Sequence, residues 1–317
     1  HMTTQGFISL EALAKLAGTK PIVWTLHDMW PFTGGCVYSF DCDHFKSACG
    51  NCPFLKPNGP EDLSNRLWEE KKSIFEKVGV TFVAPSQWMA DKAAGSSIGK
   101  FTEILKIHNT IDTDCFCPSD TSASRELLGL KTGDIPLLFG AQNIDDERKG
   151  FHFLKGALES VKQRDQEYSK RILLLVFGAT KTKKNFDRLP VRVRYFGSPA
   201  NTREIIHLYR AALYYIHCAT ADNLPNTVVE SLSCGTPVIA FNSGGVNELV
   251  QAGFNGYLAD PGNEISLADT ILKAIKTDQA YKLMAENARN AAVHRYSMKE
   301  IAGSYNSLYE KILNNRN

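Results

Sequence analysis

The chain has 317 residues, a length that predicts about two domains. Apolar residues make up 43% and charged residues 22%, which excludes a disordered or collagen-like chain. Because 36 Lys and Arg oppose 34 Asp and Glu, the net charge is only +2 and we expect no nucleic-acid partner. No apolar run reaches the ~18 residues that a membrane-spanning helix needs.

Short apolar runs alternate with helical patterns along the whole chain. Most of these runs are continuous rather than alternating, which is typical of parallel strands covered on both faces. In chain order, strands are predicted at residues 21–26, 80–84, 104–107, 136–141, 172–178, 191–196, 214–218, 237–241 and 256–259. The alternation predicts an α/β fold of right-handed βαβ units with parallel sheets.

Two helices stand out from their local patterns. One is predicted over residues 227–233, directly after a polar loop. The other follows Ser266, which has Asp269 three residues later in the spacing of a capping box. Its apolar residues fall on one helical face. They are Leu267, Ile271, Leu272 and Ile275.

A polar, turn-forming stretch at residues 117–134 predicts the domain boundary. We expect a partial first domain over residues 1–133 with a Cys-rich loop at 34–53, and a second, Rossmann-like domain over 134–296. A final helix over 297–317 is expected to cross back to the first domain. The first domain has few predicted strands, so its sheet has exposed edges that predict a homodimer.

The densest chemistry lies in residues 222–230, between a predicted strand and a predicted helix. Such loops bind ligands beside helix N-terminal amides, which attract phosphate. Asp222 in the loop and Glu230 further along the helix are placed to hold the hydroxyls of a nucleotide-sugar. The alternative is that Asp222 only favours the helix dipole and Glu230 lies on a solvated face.

Two other segments carry candidate phosphate-binding groups. Arg148 and Lys149 follow the first strand of the second domain and are suited to neutralise a diphosphate leaving group. Gly244 and Gly245 open a helix and allow backbone amides to approach an anion. The alternatives are a solvated cationic loop and an ordinary β–α turn.

Five motifs occur in an order that identifies a family resemblance. They lie at residues 23–28, 108–112, 222–230, 231–240 and 244–248. Together they resemble the family 4 retaining glycosyltransferases, which have the GT-B architecture of two facing Rossmann-like domains. The chain is most similar to the bacterial exopolysaccharide and O-antigen branch, which carries a Cys-rich insert.

The resemblance implies roles for individual residues. Glu230 would hold the nucleotide ribose, Asp222 the donor sugar, and Lys149 the diphosphate, with His27 near the donor sugar and the acceptor. The catalytic candidates are His27, Asp222, Arg148 and Lys149. The donor-binding candidates are Gly140, Asn223, Leu224, Asn226, Thr227, Val228 and Glu230.

The chain also departs from the family pattern. Asp222 replaces a Glu, Pro225 replaces a Gly, and the family's arginine lies further upstream, where this chain has Ile144. Arg148 is the candidate substitute for that arginine. The family normally has roughly 90–100 more residues before this point, so we expect most of the N-terminal half-domain to be missing.

The resemblance implies a transferase of the EC 2.4 type. It would move a sugar from a nucleoside-diphosphate sugar, with a UDP-sugar favoured, to a polysaccharide or lipid-linked glycan, with no catalytic metal. One alternative is a nucleotide-sugar-binding module that is inactive without the missing half. Another is a GT-B epimerase, which would need a second titratable partner for acid–base chemistry.

The first residues of the chain and its cysteines predict where the protein is located and whether it binds a metal. The first residues lack a signal-peptide pattern, so we expect a cytoplasmic protein, with peripheral contact to the inner membrane face as an alternative. Cysteines there favour metal over disulfides. Four of them, one pair spaced Cys-x2-Cys, can wrap a structural Zn²⁺, with His44 as a substitute ligand and free thiols or a disulfide as alternatives. These are Cys36, Cys42, Cys49 and Cys52.

Overall fold

The computed structural model describes residues 8–277 and 280–314. The chain divides into two compact units. The first is formed by the described residues up to His108 together with those from Gly303 onward, and the second by the described residues between Asn109 and Ala302. Each unit contains one parallel β-sheet and is described by itself.

The first unit is built on a three-stranded sheet in the order β1-β2-β3. Its strands are β1 (Ile22–Thr25), β2 (Val80–Ala84) and β3 (Glu103–Lys106). Its helices are α1 (Leu10–Ala17), α2 (Leu63–Phe75) and α3 (Gln87–Ala94). Large fully buried side chains, among them Phe32, Phe45 and Phe75, form its core.

The second unit is built on a six-stranded sheet in the order β6-β5-β4-β7-β8-β9, with all neighbours parallel. Its strands are β4 (Ile135–Asn143), β5 (Ile172–Ala179), β6 (Arg192–Tyr195), β7 (Tyr214–His217), β8 (Val238–Phe241) and β9 (Gly256–Ala259). This is the strand order of a Rossmann-like domain, in which ligands bind where the winding direction reverses. That reversal lies between β4 and β7.

Helices cover the sheet of the second unit on both faces. The helices before the loop at residues 222–230 are α4 (Thr121–Leu127), α5 (Phe151–Arg164), α6 (Gln166–Arg171) and α7 (Thr202–Ala211). Those that follow are α8 (Asn226–Ser233), α9 (Val246–Leu249), α10 (Glu264–Lys276) and α11 (Tyr281–Tyr296). The last helix, α12 (Met298–Asn314), belongs to the first unit from Gly303 onward. Two buried apolar clusters pack between these helices and the sheet.

The nine predicted strands are all present, and the predicted α/β fold class with parallel sheets is confirmed. Both predicted helices are also present, as α8 and α10. The predicted capping box is wrong, because α10 begins three residues earlier. Asn263 is the N-cap and accepts from the amides of Ile265 and Ser266, while the hydroxyl of Ser266 accepts from the amide of Asp260.

The first boundary between the units lies at His108 and Asn109, earlier than the polar stretch at 117–134 suggested. That stretch and the residues just before it are tied to the second unit. The Arg289 guanidinium donates to the carbonyls of Thr113 and Phe116, each at 2.9 Å. Arg125 on α4 donates to the carbonyl of Ala211 at the end of α7. The stretch is not a loop throughout, since it contains α4, and its polar composition did not show which core it joins.

The last helix contributes its residues from Gly303 onward to the first unit. The Tyr305 hydroxyl lies 2.8 Å from the Thr25 hydroxyl on β1, and Lys311 forms a 2.7 Å ion pair with Glu103 on β3. Contacts to both outer strands explain why this segment belongs with the first sheet. Within the described part of the chain, no helix is both long enough and apolar enough to cross a membrane.

Candidate functional site

The site is assembled where β4 and β7 end, at the reversal of the second sheet. After β4 the chain makes a short turn, Glu147–Lys149, whose start is capped by Asp146 accepting from the amide of Arg148 at 3.0 Å. Gly150 follows with a φ of +74°, and a Cβ there would lie 1.9 Å from the carbonyl oxygen of Cys218. Only glycine therefore lets this turn lie against the end of β7.

Asp222 is the centre of a compact ion cluster. Its Oδ2 lies 2.6 Å from Lys149 Nζ, 3.5 Å from an Arg148 guanidinium nitrogen and 3.8 Å from His217 Nε2. Arg148 also donates to the carbonyl of Ala221 at 2.8 Å. The structure thus brings together three of the four predicted catalytic residues, with His217 as an unpredicted neighbour.

Charge, rather than burial, decides the ionisation of Asp222. Burial acts to raise the pKa of this carboxyl, but Lys149, His217 and Arg148 outweigh burial and hold the pKa below its ordinary value. Asp222 is therefore a carboxylate at neutral pH, paired with cations that are themselves suited to phosphate. In this arrangement, an anionic group of a ligand can replace the Asp222 carboxylate as the partner of Lys149 and Arg148.

The Gly-Gly segment supports the backbone of Asp222. Gly244 has a φ of +58°, and a Cβ there would lie 2.0 Å from the Asp222 carbonyl oxygen. The amide of Gly245 donates to the same oxygen at 3.0 Å. In the described structure this glycine pair therefore positions the Asp222 loop by close backbone approach.

Glu230 lies in the second turn of α8, where Tyr209 orients it. The buried Tyr209 hydroxyl donates to Glu230 Oε2 at 2.9 Å. Burial raises the pKa of Glu230, and the hydrogen bond from Tyr209 acts against that rise. The pairing holds the carboxylate in one orientation, which suits it to accept hydroxyl hydrogen bonds.

The remaining donor-binding candidates surround the start of α8. Asn223, Leu224 and Val228 are buried, whereas Asn226 is exposed. Pro225, the N-cap of α8, makes no side-chain cap hydrogen bond within this helix terminus. An N-terminus of this kind directs backbone amides and a partial positive charge toward a bound anion.

Gly140 and His27 are the remaining candidates. Gly140 is buried within β4, and a Cβ there would lie 2.1 Å from the Phe177 ring, so its absent side chain serves packing. His27 follows β1 in the first unit. Loss of water around the ring lowers the pKa of His27, and the neighbouring Asp28 acts against that change.

The four clustered cysteines lie in the first unit as free thiols. Burial raises the pKa of Cys36 and of Cys49 to about 11, and the neighbouring thiols add to both rises. Cys49 Sγ accepts from the amide of Gly34 at 3.1 Å. Among residues 8–277 and 280–314, however, no three His, Cys, Asp or Glu side chains form a group that could hold a metal. As placed, these thiols do not fit a tetrahedral site, and the structural zinc stays a prediction.

Two residues of the site escaped the sequence reasoning, namely His217 and Tyr209. His217 ends β7 at the carboxyl edge of the sheet, where a polar residue closing an apolar strand is a usable signal. Tyr209 lies on α7, and its meeting with Glu230 depends on the packing of two helices.

Comparison with known proteins decides the family. Residues 132–291 match the family of glycosyl transferases group 1, which is half of the chain and contains the whole ion cluster. The chain belongs to this family.

The similarity to named relatives extends beyond residues 132–291. A protein of Escherichia coli (strain K12), named as the colanic acid biosynthesis glycosyl transferase WcaC, is 27% identical over 75% of this chain and 56% of its own length. The D-inositol 3-phosphate glycosyltransferase of Corynebacterium jeikeium (strain K411) is 24% identical over 91% of this chain and 69% of its own length. The chain thus spans little more than half of the Escherichia coli relative.

Solved structures show the same fold. Anabaena Alr3699/HepE in complex with UDP aligns with a TM-score of 0.72 at 22% identity, covering 96% of this chain and 77% of that chain. Sucrose-phosphate synthase from Thermosynechococcus elongatus aligns with a TM-score of 0.67 at 20% identity, covering 78% of this chain and 62% of that chain. These likenesses agree with the predicted GT-B fold class.

Proposed function

We propose that this chain carries the donor site of a retaining glycosyltransferase that uses a nucleoside-diphosphate sugar, with UDP as the nucleotide. The observation that carries the proposal is the convergence of Lys149 and Arg148 on Asp222 at the sheet reversal. Ligands of Rossmann-like domains bind at that reversal. Two cations beside a helix N-terminus match the charge of a diphosphate.

Each residue would then act on a different part of the donor. Lys149 and Arg148 would bind the diphosphate and stabilise its charge as it leaves. Asp222 would accept hydrogen bonds from the donor sugar, together with the backbone of Asn223 and Leu224. Glu230, oriented by Tyr209, would accept hydrogen bonds from the ribose hydroxyls.

With the diphosphate charge stabilised, transfer with retention would follow from attack on the face that the diphosphate leaves. The bond between the anomeric carbon and the diphosphate oxygen breaks, and a bond to the acceptor oxygen forms on the same face. The acceptor proton passes to the leaving phosphate oxygen, so the enzyme needs no separate base for that proton. We propose that His27 lies near the acceptor, which would be a polysaccharide or a lipid-linked glycan.

Two comparisons support the choice of donor and acceptor. Alr3699/HepE was solved with UDP and also with UDP-glucose, which supports a uridine nucleotide. The Escherichia coli relative is named for colanic acid, a polysaccharide, which supports a glycan acceptor.

A second candidate function is a nucleotide-sugar-binding module that is inactive without further chain. The three-stranded first sheet favours it, as does the 56% coverage of the Escherichia coli relative. An exposed edge of that sheet would also favour a homodimer. Light scattering tests the dimer, and a monomer would contradict it.

Calorimetric titration with UDP, GDP and ADP, followed by their sugar nucleotides, tests the main proposal. We expect one diphosphate, UDP, to bind far more tightly than the others. Transfer or hydrolysis of the matching sugar nucleotide supports the enzyme, whereas binding without turnover supports the module. If none of the three diphosphates binds, the proposal is wrong.

A further inference from the structure

His217 is a buried histidine that the proposed function does not use. It is the last residue of β7, only 4% exposed, and its neighbours along the strand are also buried. Among the described residues, its Nε2 is the buried side-chain atom without a hydrogen-bond partner. Buried polar atoms without partners are rare and costly, so such an atom in a native fold calls for an explanation.

The orphaned nitrogen faces the ion cluster. Nε2 lies 3.8 Å from Asp222 Oδ2, which is beyond hydrogen-bond distance, while Lys149 Nζ occupies that same oxygen at 2.6 Å. Arg148 approaches the oxygen as well, at 3.5 Å. The Tyr215 ring, the nearest aromatic group on β7, lies 6.4 Å from the imidazole. Lys149 thus holds the oxygen that His217 could bind.

The charged groups around His217 oppose one another. Burial lowers the pKa of His217 to about 4, Asp222 acts to raise it, and Lys149 and Arg148 act to lower it further. In the free protein the imidazole is therefore neutral at physiological pH. Removing the effect of the two cations while keeping Asp222 would shift the balance toward the imidazolium.

A bound diphosphate would cause that shift. Its negative charges would neutralise Lys149 and Arg148 and draw their side chains away from Asp222. The Asp222 carboxylate, itself buried, would then lack its 2.6 Å partner. Asp222 would keep the Asn223 amide on its other oxygen, but the loss of its charged partner is unfavourable for a buried carboxylate, and His217 Nε2 already lies 3.8 Å from the released oxygen.

We infer that His217 is a positioning residue of the donor site, which takes up a proton from solvent and binds Asp222 when a nucleoside diphosphate engages Lys149 and Arg148. The inference rests on the proposed function, because it needs a diphosphate at this cluster. It explains why a titratable ring ends an apolar strand here. It also makes diphosphate affinity depend on pH.

The sign of that dependence follows from linkage. Because the bound state would have the higher His217 pKa, binding takes up a proton between the free and bound pKa values. Affinity should therefore rise as pH falls through the bound pKa, until the free histidine also titrates near pH 4. UDP titrates in part of this range, so the test compares variants that share the same ligand.

The experiment uses the full chain, with UDP as the ligand. The His217 imidazole is followed by ¹H–¹⁵N NMR against pH, with and without saturating UDP. Proton uptake is measured by calorimetry near pH 5, between the free and bound pKa values, in buffers of different ionisation enthalpy. The chain is compared with His217→Gln, which cannot titrate there, and with His294→Gln, a matched change of an exposed histidine on α11.

We expect the His217 pKa to rise by about one unit or more on UDP binding. The associated proton uptake should be absent in His217→Gln and unchanged in His294→Gln. If UDP binds but the NMR titration of His217 in the unmodified chain does not move, the inference is wrong while the proposed function stands. If UDP, GDP and ADP all fail to bind, both are overturned.

Discussion

Lys71 of the first unit and Asp222 of the second are both buried charged side chains, and their partners differ in kind. Lys71 is fully buried, with Nζ donating to the carbonyls of Trp30 and Thr33 and lying 3.5 Å from the centre of the Trp30 ring. Asp222 is held instead by the side chains of Lys149 and Arg148.

This difference in partners indicates that the charge of Lys71 has a structural role, whereas the charge of Asp222 has a functional one. Backbone carbonyls and a packed ring cannot leave Lys71 without local unfolding, so its interactions stabilise the first core. Burial lowers the pKa of Lys71 to about 7, with Cys49, Asp28 and Cys36 acting against that change. The long side chains that hold Asp222 can turn to a ligand, which a binding site requires. The predictions below test this contrast.

The largest effect is expected from Lys71→Ala, which should destabilise the first unit by about 4 kcal/mol. The change opens a cavity and leaves two carbonyls without a donor. All four tryptophans lie in this unit, at positions 24, 30, 68 and 88, so denaturation followed by tryptophan fluorescence measures its stability. Lys71→Met, which keeps most of the volume, should cost less. If the UDP affinity of the Lys71 variants fell in proportion to their stability, the assignment of a purely structural role to Lys71 would be contradicted.

Acidification should destabilise the second unit by up to about 3 kcal/mol through His217. The folded pKa of His217 is about 4 and its ordinary value is 6.5, so the unfolded chain binds the proton first. Stability is therefore unaffected above pH 6.5 and falls between pH 6.5 and 4. Hydrogen exchange of peptides from β7 measures the effect, which His217→Leu should abolish. A pH dependence that survived in His217→Leu would assign the effect to another group.

Lys149→Ala should weaken UDP binding by about 2.5 kcal/mol, since a charge-assisted contact to phosphate is lost. Calorimetric titration gives the affinity directly. Lys155→Ala is the matched control, because Lys155 is an exposed lysine on α5 outside the Asp222 cluster. Equal affinities for the two variants would remove Lys149 from the site. Tryptophan fluorescence should stay unchanged in both.

Glu230→Ala should weaken UDP binding by about 2 kcal/mol, as expected for a lost charged hydrogen-bond partner. A parallel titration with inorganic pyrophosphate separates the ribose contribution to the affinity from the diphosphate contribution, because pyrophosphate has no ribose. We expect its affinity to be nearly unchanged. A similar loss for both ligands would indicate that Glu230 supports the fold of α8 rather than the ribose.

The smallest effect is expected from Tyr209→Phe, about 1 kcal/mol in UDP affinity. The change removes only the hydroxyl that donates to Glu230 and leaves the packed ring in place. In the Glu230→Ala background the same change should have no further effect, because the residues act as a pair. Additive losses in the double variant would show that Tyr209 acts on its own.

The strands were predictable because their signal is local. A parallel strand covered by helices, such as β5, is a continuous run of Ile, Leu, Val and Phe. The cap of α10 was misplaced because Ser266 and Asn263 are both good capping residues, and the choice depends on where the helix meets β9. The first unit boundary was misplaced for a related reason, since the contacts of Arg289 with Thr113 and Phe116 join distant segments.

The amino-acid sequence alone determined the α/β class, the nine strands, and the candidates Asp222, Arg148, Lys149 and Glu230. These follow from the side chains of neighbouring residues, which set hydrophobic period and local chemistry. Only the tertiary structure decided that Lys149 meets Asp222 across 73 positions of the chain, and that His217 Nε2, which has no hydrogen-bond partner, lies 3.8 Å from the same carboxylate. Such contacts depend on strand order and on the packing of whole elements, which bring together groups that no local pattern connects.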